Sequence, residues 1–177
     1  TYDPIEIIVV DDSGDKHAKE VATDFDVNYL PMEKNEGQMS AWNRGIDHCS
    51  GEYIQFFDDD DQIVPSKIEK QIGVFQNKKD VGVVYCGFQY ESGDIIKPSL
   101  NGRMLKEVLT LSTSPCITST MLMRKEIIEE ITPLPIYHAA TDDVLKIELA
   151  KRTKFDFVNE PLVIRGERED SVSGSMT

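Results

Sequence analysis

Residues 53–61 read YIQFFDDDD, a short apolar and aromatic run that ends in four consecutive aspartates, Asp58 to Asp61. The segment Tyr53–Phe57 predicts a buried strand. Four carboxylates at the tip of one strand repel one another and gain nothing from burial. A solvated acidic turn would account for an arbitrary aspartate run. At the end of a buried strand the pattern fits a hard cation better, because Mg²⁺ and Mn²⁺ take oxygen ligands and commonly bridge to substrate phosphates.

The 177 residues suit one domain over 1–177, with no internal repeat, low-complexity tract or linker. A net charge of −13 argues against nucleic acid or an anionic membrane surface as an electrostatic partner. An acidic protein can still take a phosphate-bearing substrate if a metal supplies positive charge locally. Cys49, Cys86 and Cys116 are far apart and form no CxxC pair. They read as buried, reduced thiols of a cytoplasmic protein. No apolar stretch is long enough to span a bilayer, and no signal peptide opens the chain.

Strands and helices alternate along the sequence. Ile5–Val10 is a continuous apolar strand ending at Asp11-Asp12-Ser13-Gly14, and Val27–Leu30 is a shorter one closed by Pro31. Gln38–Cys49 places Met39, Trp42, Ile46 and Cys49 on one helical stripe that Ser50-Gly51 stops. Pro65-Ser66 opens a helix with Ile68, Ile72 and Phe75 on one face. A strand over Val81–Tyr90, a short helix over Gly102–Leu111, a strand over Ile117–Met123 and a helix over Arg124–Ile131 follow. Asp142–Lys151 carries Leu145 and Leu149 at helical spacing, and Phe155–Ile164 is extended, an edge or kinked strand because Pro161 lies inside it. Ser171–Thr177 is expected as a frayed tail. This order implies an α/β domain with a mixed, mainly parallel sheet and helices on both faces. Ligands bind such sheets at the carboxyl ends of the strands, where Asp11-Asp12 and the aspartate run both stand.

Three motifs occur in order: IIVVDDSGD, then NEGQMSAWNRGIDHCSGEYIQFFDDDD with a proline after it, then TDDVLKIELA. Together they resemble the family 2 glycosyltransferases of the GT-A (Rossmann-like) fold, over nearly the whole chain. The resemblance implies transfer of a sugar from a nucleotide-sugar donor to a saccharide or lipid-linked acceptor, usually with inversion. By its motifs Asp11 and Asp12 would face the nucleotide base; a carboxylate there accepts a ring N–H and so favours uracil. Asn35, Gly37, Ala41 and Asn43 match the N-x-G-x-x-x-A-x-N stretch, where Gly37 allows close backbone approach and a helix N-terminus faces phosphate. Asp58 and Asp60 match the DxD pair. Asp60 would bind Mn²⁺ or Mg²⁺, and Asp58 or Asp59 the ribose hydroxyls.

The chemistry implied is metal-assisted departure of a nucleoside diphosphate, with one general base for the acceptor hydroxyl. Aligning Leu145 and Leu149 with the family's late helix puts Asp142 at the base, or Asp143 if the register slips by one. Neighbouring carboxylates would raise the base's pKa. A helix N-cap with first-turn acids is the plain alternative for Thr141-Asp142-Asp143. Arg165, Arg168, Ser171 and Ser173 stand where the family has a segment near the diphosphate, although a surface loop is the reading preferred for them. Trp42 replaces an arginine common in relatives and reads as core. His17 and His48 read as surface or helix-lining, and His138 lies just ahead of the base, within reach of an acceptor.

Other classes compete. IIVVDDS also resembles the first acidic pair of a receiver domain, with Asp58 as phosphoacceptor, but the later Ser/Thr and Lys strand ends are missing. Asp58, Asp60, Gln62 and Glu69 fall at EF-hand positions, but Ile63 takes the glycine's place and Pro65 lies within the loop. A non-catalytic GT-A-like module is the remaining rival. The family begins with a strand and helix ahead of IIVVDDS, whereas this sequence begins at Thr1-Tyr2-Asp3-Pro4. Two strand edges are therefore expected to lack a partner, inviting homo-oligomer formation, and the chain alone is expected to bind donor poorly. Bacterial surface polysaccharide or glycolipid synthesis is the usual context of the family, in the cytoplasm or peripherally at the inner face of the membrane.

Overall fold

A computed structural model describes residues 2–137 and 140–166. His138, Arg168, Ser171, Ser173 and the tail 171–177 lie outside the described residues. Strand β1 (Ile8–Asp11) leads through helix α1 (Lys19–Thr23) to β2 (Asn28–Pro31), then α2 (Gln38–His48), β3 (Tyr53–Ile54), β4 (Gln62–Ile63) and α3 (Lys67–Asn77). Next come β5 (Val81–Tyr90), β6 (Ile95–Ile96), α4 (Leu105–Leu109), a 3₁₀ turn at Thr118–Thr120, β7 (Leu122–Arg124), α5 (Lys125–Glu129), α6 (Thr141–Arg152) and β8 (Lys154–Arg165).

The sheet is mixed. β1 and β2 pair in parallel by themselves, and the other strands run in the order β3-β7-β5-β8-β4, with β6 on β5. The longest pairing, β5 with β8, is parallel; the short pairings of β3, β4, β6 and β7 are antiparallel. β5 is buried from Val81 to Phe88, as a continuous apolar run demands when helices and loops cover both faces. The main core joins Met39, Ile46, Val83, Tyr85, Met121, Met123, Leu145, Leu149 and Phe155, with Trp42 and Cys49 half-buried against it. The three thiols are free; Cys86 and Cys116 are buried and Cys49 is half-buried.

Several elements differ from the sequence reading. Thr118–Thr120 winds as a 3₁₀ turn and pairing begins only at Leu122, so the strand expected from Ile117 is shorter and later. β8 is no edge strand: it lies between β5 and β4. Pro161 is accommodated by register shifts flanking Gly87, its partner across the ladder. A Cβ on Gly87 would come within 2.7 Å of the Ile96 carbonyl, so glycine is what lets the bulge close. The short elements α1, β4 and β6 have too few residues to show a period.

Among the described residues β1 pairs only with β2, and β3 only with β7. Between β1 and β3 lies a cavity of about 540 Å³ lined by Ile8, Val10, Trp42, Ile46, Ile54 and Phe56. β3 pairs with β7 only over Tyr53–Ile54, although the apolar run continues to Phe57, because β7 begins at Leu122 after the 3₁₀ turn. Trp42 stacks on Phe56, ring centres 4.6 Å apart. No helix among the described residues is long and apolar enough to cross a membrane.

Candidate active site

The aspartate run forms a turn beyond β3. The Asp61 N–H donates to the Asp58 carbonyl at 3.3 Å. Asp61 Oδ1 accepts the backbone N–H of Gly166 at 3.0 Å, where the chain leaves β8. Gly166 packs so closely that a Cβ there would sit 2.0 Å from the Asp60 carbonyl oxygen. Asp58 donates its backbone N–H to Ser119 Oγ at 3.2 Å. Burial, and then the charges of Asp142, Asp61 and Asp60, push the Asp58 carboxyl up to about 6, against a hydrogen bond from Ser119. The acidic turn at one strand end and the start of α6 are therefore within electrostatic reach of each other.

The start of α6 separates its two aspartates. Asp142 Oδ2 accepts a hydrogen bond from Thr118 Oγ1 at 3.1 Å, on the turn that also holds Asp58. Asp143 Oδ1 instead lies 2.8 Å from Nζ of the buried Lys146, one turn along the helix. Thr141 does not cap the helix: it is the first helical residue, and its hydroxyl donates to Gln38 Oε1 at the start of α2. Leu145 and Leu149 point into the core as their spacing requires.

The other motif residues divide between the crevice and the scaffold. Asp11 is buried and accepts from Ser13 N and Oγ, Ala18 N and the Tyr29 hydroxyl, at 2.6 to 3.1 Å. Desolvation alone would raise its pKa; the bonds from Ser13, Tyr29 and Ala18 outweigh it and hold the carboxyl at about 2. Asp11 thus shapes the loop that carries the half-buried Asp12. Asn35 Oδ1 accepts the Gly37 N–H at 3.1 Å, and Gly37, at φ 86°, opens α2 in a conformation that favours glycine. Asn43 grips Leu134 with both polar atoms, donating to its carbonyl at 2.9 Å and accepting its N–H at 2.6 Å. This asparagine, assigned to the nucleotide by resemblance, holds the loop before α6 against α2. Asp59 is exposed and Asp60 half-buried. Arg165 lies over the rings of Phe88 and Tyr90. His17 and His48 are exposed.

The donor set at the acidic turn is oxygen only, with Asp58, Asp60 and Asp61 close together; burial first, and then these charges with Asp142, raise the Asp58 carboxyl. Among the described residues no three His, Cys, Asp or Glu side chains converge as a ready metal cage. Mg²⁺ and Mn²⁺ take oxygen ligands and are commonly held by one or two carboxylates, with substrate phosphates and water completing the shell. The sequence reading missed Thr118, Ser119, Gln38 and Gly166. Each acts through one hydroxyl, amide or absent side chain, which leaves no periodic signal.

The sequence profile described as Glycosyl transferase family 2 matches residues 1–132. The chain is 30% identical over 148 residues to the uncharacterized glycosyltransferase alr2836 of Nostoc sp., covering 76% of this chain and 46% of that one. It is 25% identical over 173 residues to the uncharacterized glycosyltransferase MJ1057 of Methanocaldococcus jannaschii, covering 89% and 58%. The chain thus spans about half the length of these relatives. In fold it resembles S. aureus TarS 1-349 in complex with UDP-GlcNAc, at TM-score 0.71 and 16% identity, covering 97% of this chain and 52% of that one. The likeness to TarS is one of fold and supports the α/β, GT-A-type architecture expected from the motifs. With three quarters of its length matched by the profile, the chain belongs to glycosyl transferase family 2.

Proposed function

We propose that this chain carries the donor site and general base of an inverting, metal-dependent glycosyltransferase that moves a sugar from a UDP-sugar to a saccharide or lipid-linked acceptor. The observation that carries the reading is the meeting of Asp58 and Asp142 across the Thr118–Thr120 turn. In this reading Asp12 receives the base, Asp58 and Asp59 the ribose, and Asp60 a divalent cation. That cation, when bound, neutralises charge on the departing diphosphate. Asp142 takes the proton of the acceptor hydroxyl, and the Thr118 hydroxyl fixes the carboxylate that does so. Asp143, engaged by Lys146, shapes the helix start and does not compete for the proton. The TarS complex with UDP-GlcNAc motivates UDP as the nucleotide to test first. Such an enzyme would act in the cytoplasm or peripherally at the inner membrane face.

The test is calorimetric titration of UDP with and without Mn²⁺, on this chain and on one extended by an N-terminal strand, repeated with Asp60→Ala. Metal-dependent binding that Asp60→Ala abolishes supports the reading. No binding to either chain overturns it.

A further inference from the structure

Helix α3 sends two polar side chains into the interior. Lys67 and Gln71, one turn apart, are both 0% exposed. A buried ammonium is expensive, and desolvation brings the Lys67 pKa down to about 8. Replacing a buried charge by an apolar side chain of similar volume is often neutral or stabilising. Stability therefore does not explain a lysine here, whereas its contacts do. Lys67 Nζ donates to Gln55 Oε1 at 2.6 Å, and Gln55 Nε2 donates to the Ser119 carbonyl at 3.2 Å. Ser119 Oγ accepts the Asp58 N–H. One turn along α3, Gln71 Nε2 donates to the carbonyls of Thr120 and Val84, both at 2.8 Å. The Thr118–Thr120 turn is thus held by α3 and Gln55, and itself holds Asp58 through Ser119 and Asp142 through Thr118.

We propose that Lys67 and Gln55 are positioning residues, which set the place of Asp58 through Ser119. The proposal rests on the reading of Asp58 as part of the donor site. Lys67 touches no substrate; it acts by holding the Gln55 amide in the one orientation that presents Nε2 to the Ser119 carbonyl. An amide left to turn freely would lose that preference, and the turn beneath Asp58 would loosen.

The experiment compares the full chain with Lys67→Met and Gln55→Leu by ¹⁵N–¹H NMR and urea denaturation. The expected result is unchanged or higher stability for Lys67→Met, with shifted Asp58 and Ser119 amide resonances and faster hydrogen exchange at the Asp58 N–H. Gln55→Leu should reproduce the shifts, and the double variant should add nothing. Unmoved Asp58 and Ser119 amides in both variants, or additive effects, would overturn the proposal. UDP titration with Mn²⁺ should show affinity about 10- to 100-fold weaker in Lys67→Met. Unaltered affinity alongside shifted amides would also overturn it. If neither this chain nor one extended by an N-terminal strand takes UDP, the glycosyl-transfer reading falls while the amide shifts still decide the role of Lys67.

Discussion

Thr118 Oγ1 donates to Asp142 Oδ2 at 3.1 Å, and the next residue, Ser119, receives the backbone N–H of Asp58. One buried turn thereby spaces two carboxylates that stand far apart in the sequence. It also gives Asp142 a different partner from Asp143, which is held by Lys146.

Asp142→Asn should lower the transfer rate by about 10²- to 10⁴-fold, the usual contribution of a general base, with nucleotide binding little changed. Asp143→Asn should instead cost about 2 kcal/mol of folding stability, because it removes the charged partner of buried Lys146. Rates of UDP release from a UDP-sugar with a saccharide acceptor, and urea denaturation, separate the two. Equal rate losses in both variants would reject the assignment.

Asp58 has a folded-state pKa raised above its ordinary value by burial and by Asp142, Asp61 and Asp60. The native state therefore binds its proton more readily than the unfolded chain does. Its contribution to stability is largest below about pH 4 and falls as pH rises through about 6. Asp58→Asn should stabilise the protein by about 1 kcal/mol at pH 7, after allowance for partial exposure, and by nothing at pH 4. Denaturation at both values checks the sign.

Asn43→Ala leaves the Leu134 N–H and carbonyl without their side-chain partners and should cost about 2 kcal/mol. Asn43→Asp keeps an acceptor for the N–H but sets a carboxylate oxygen against the Leu134 carbonyl, so it should cost at least as much. Chemical denaturation of the two variants measures the difference. A nucleotide-binding role for Asn43 would show as weaker UDP affinity with stability unchanged.

Gly166→Ala places a Cβ 2.0 Å from the Asp60 carbonyl oxygen, which only a backbone shift can relieve. The acidic turn should move and the Gly166–Asp61 bond should weaken. We expect metal-dependent UDP binding to fall by about tenfold or more, as loss of a supporting partner does. Unaltered binding in the titration would show that the end of β8 does not support the turn.

Much of the scaffold could be read along the chain. The apolar run of β5, the stripe of Met39, Trp42 and Ile46 on α2, and the spacing of Leu145 and Leu149 on α6 are local periodicities, which the backbone geometry converts directly into buried faces. The aspartate run was visible for the same reason: carboxylates at the end of an apolar strand are a one-dimensional pattern.

Which partner each aspartate takes could not be read from residue type alone. Asp11 and Asp12 are neighbours of one type, yet Asp11 is wrapped by Ser13, Ala18 and Tyr29. Asp142 and Asp143 are likewise adjacent and meet Thr118 and Lys146 respectively. Pro161 read as an edge signal, but a bulge against Gly87 lets it sit in an interior strand. By itself the sequence determined which segments bury a face and where acid collects at strand ends, because periodicity and propensity act between near neighbours. Only the tertiary structure decided which acids share a site, because hydrogen bonds and Coulomb interactions depend on distances of a few ångströms between residues that the chain order does not bring together.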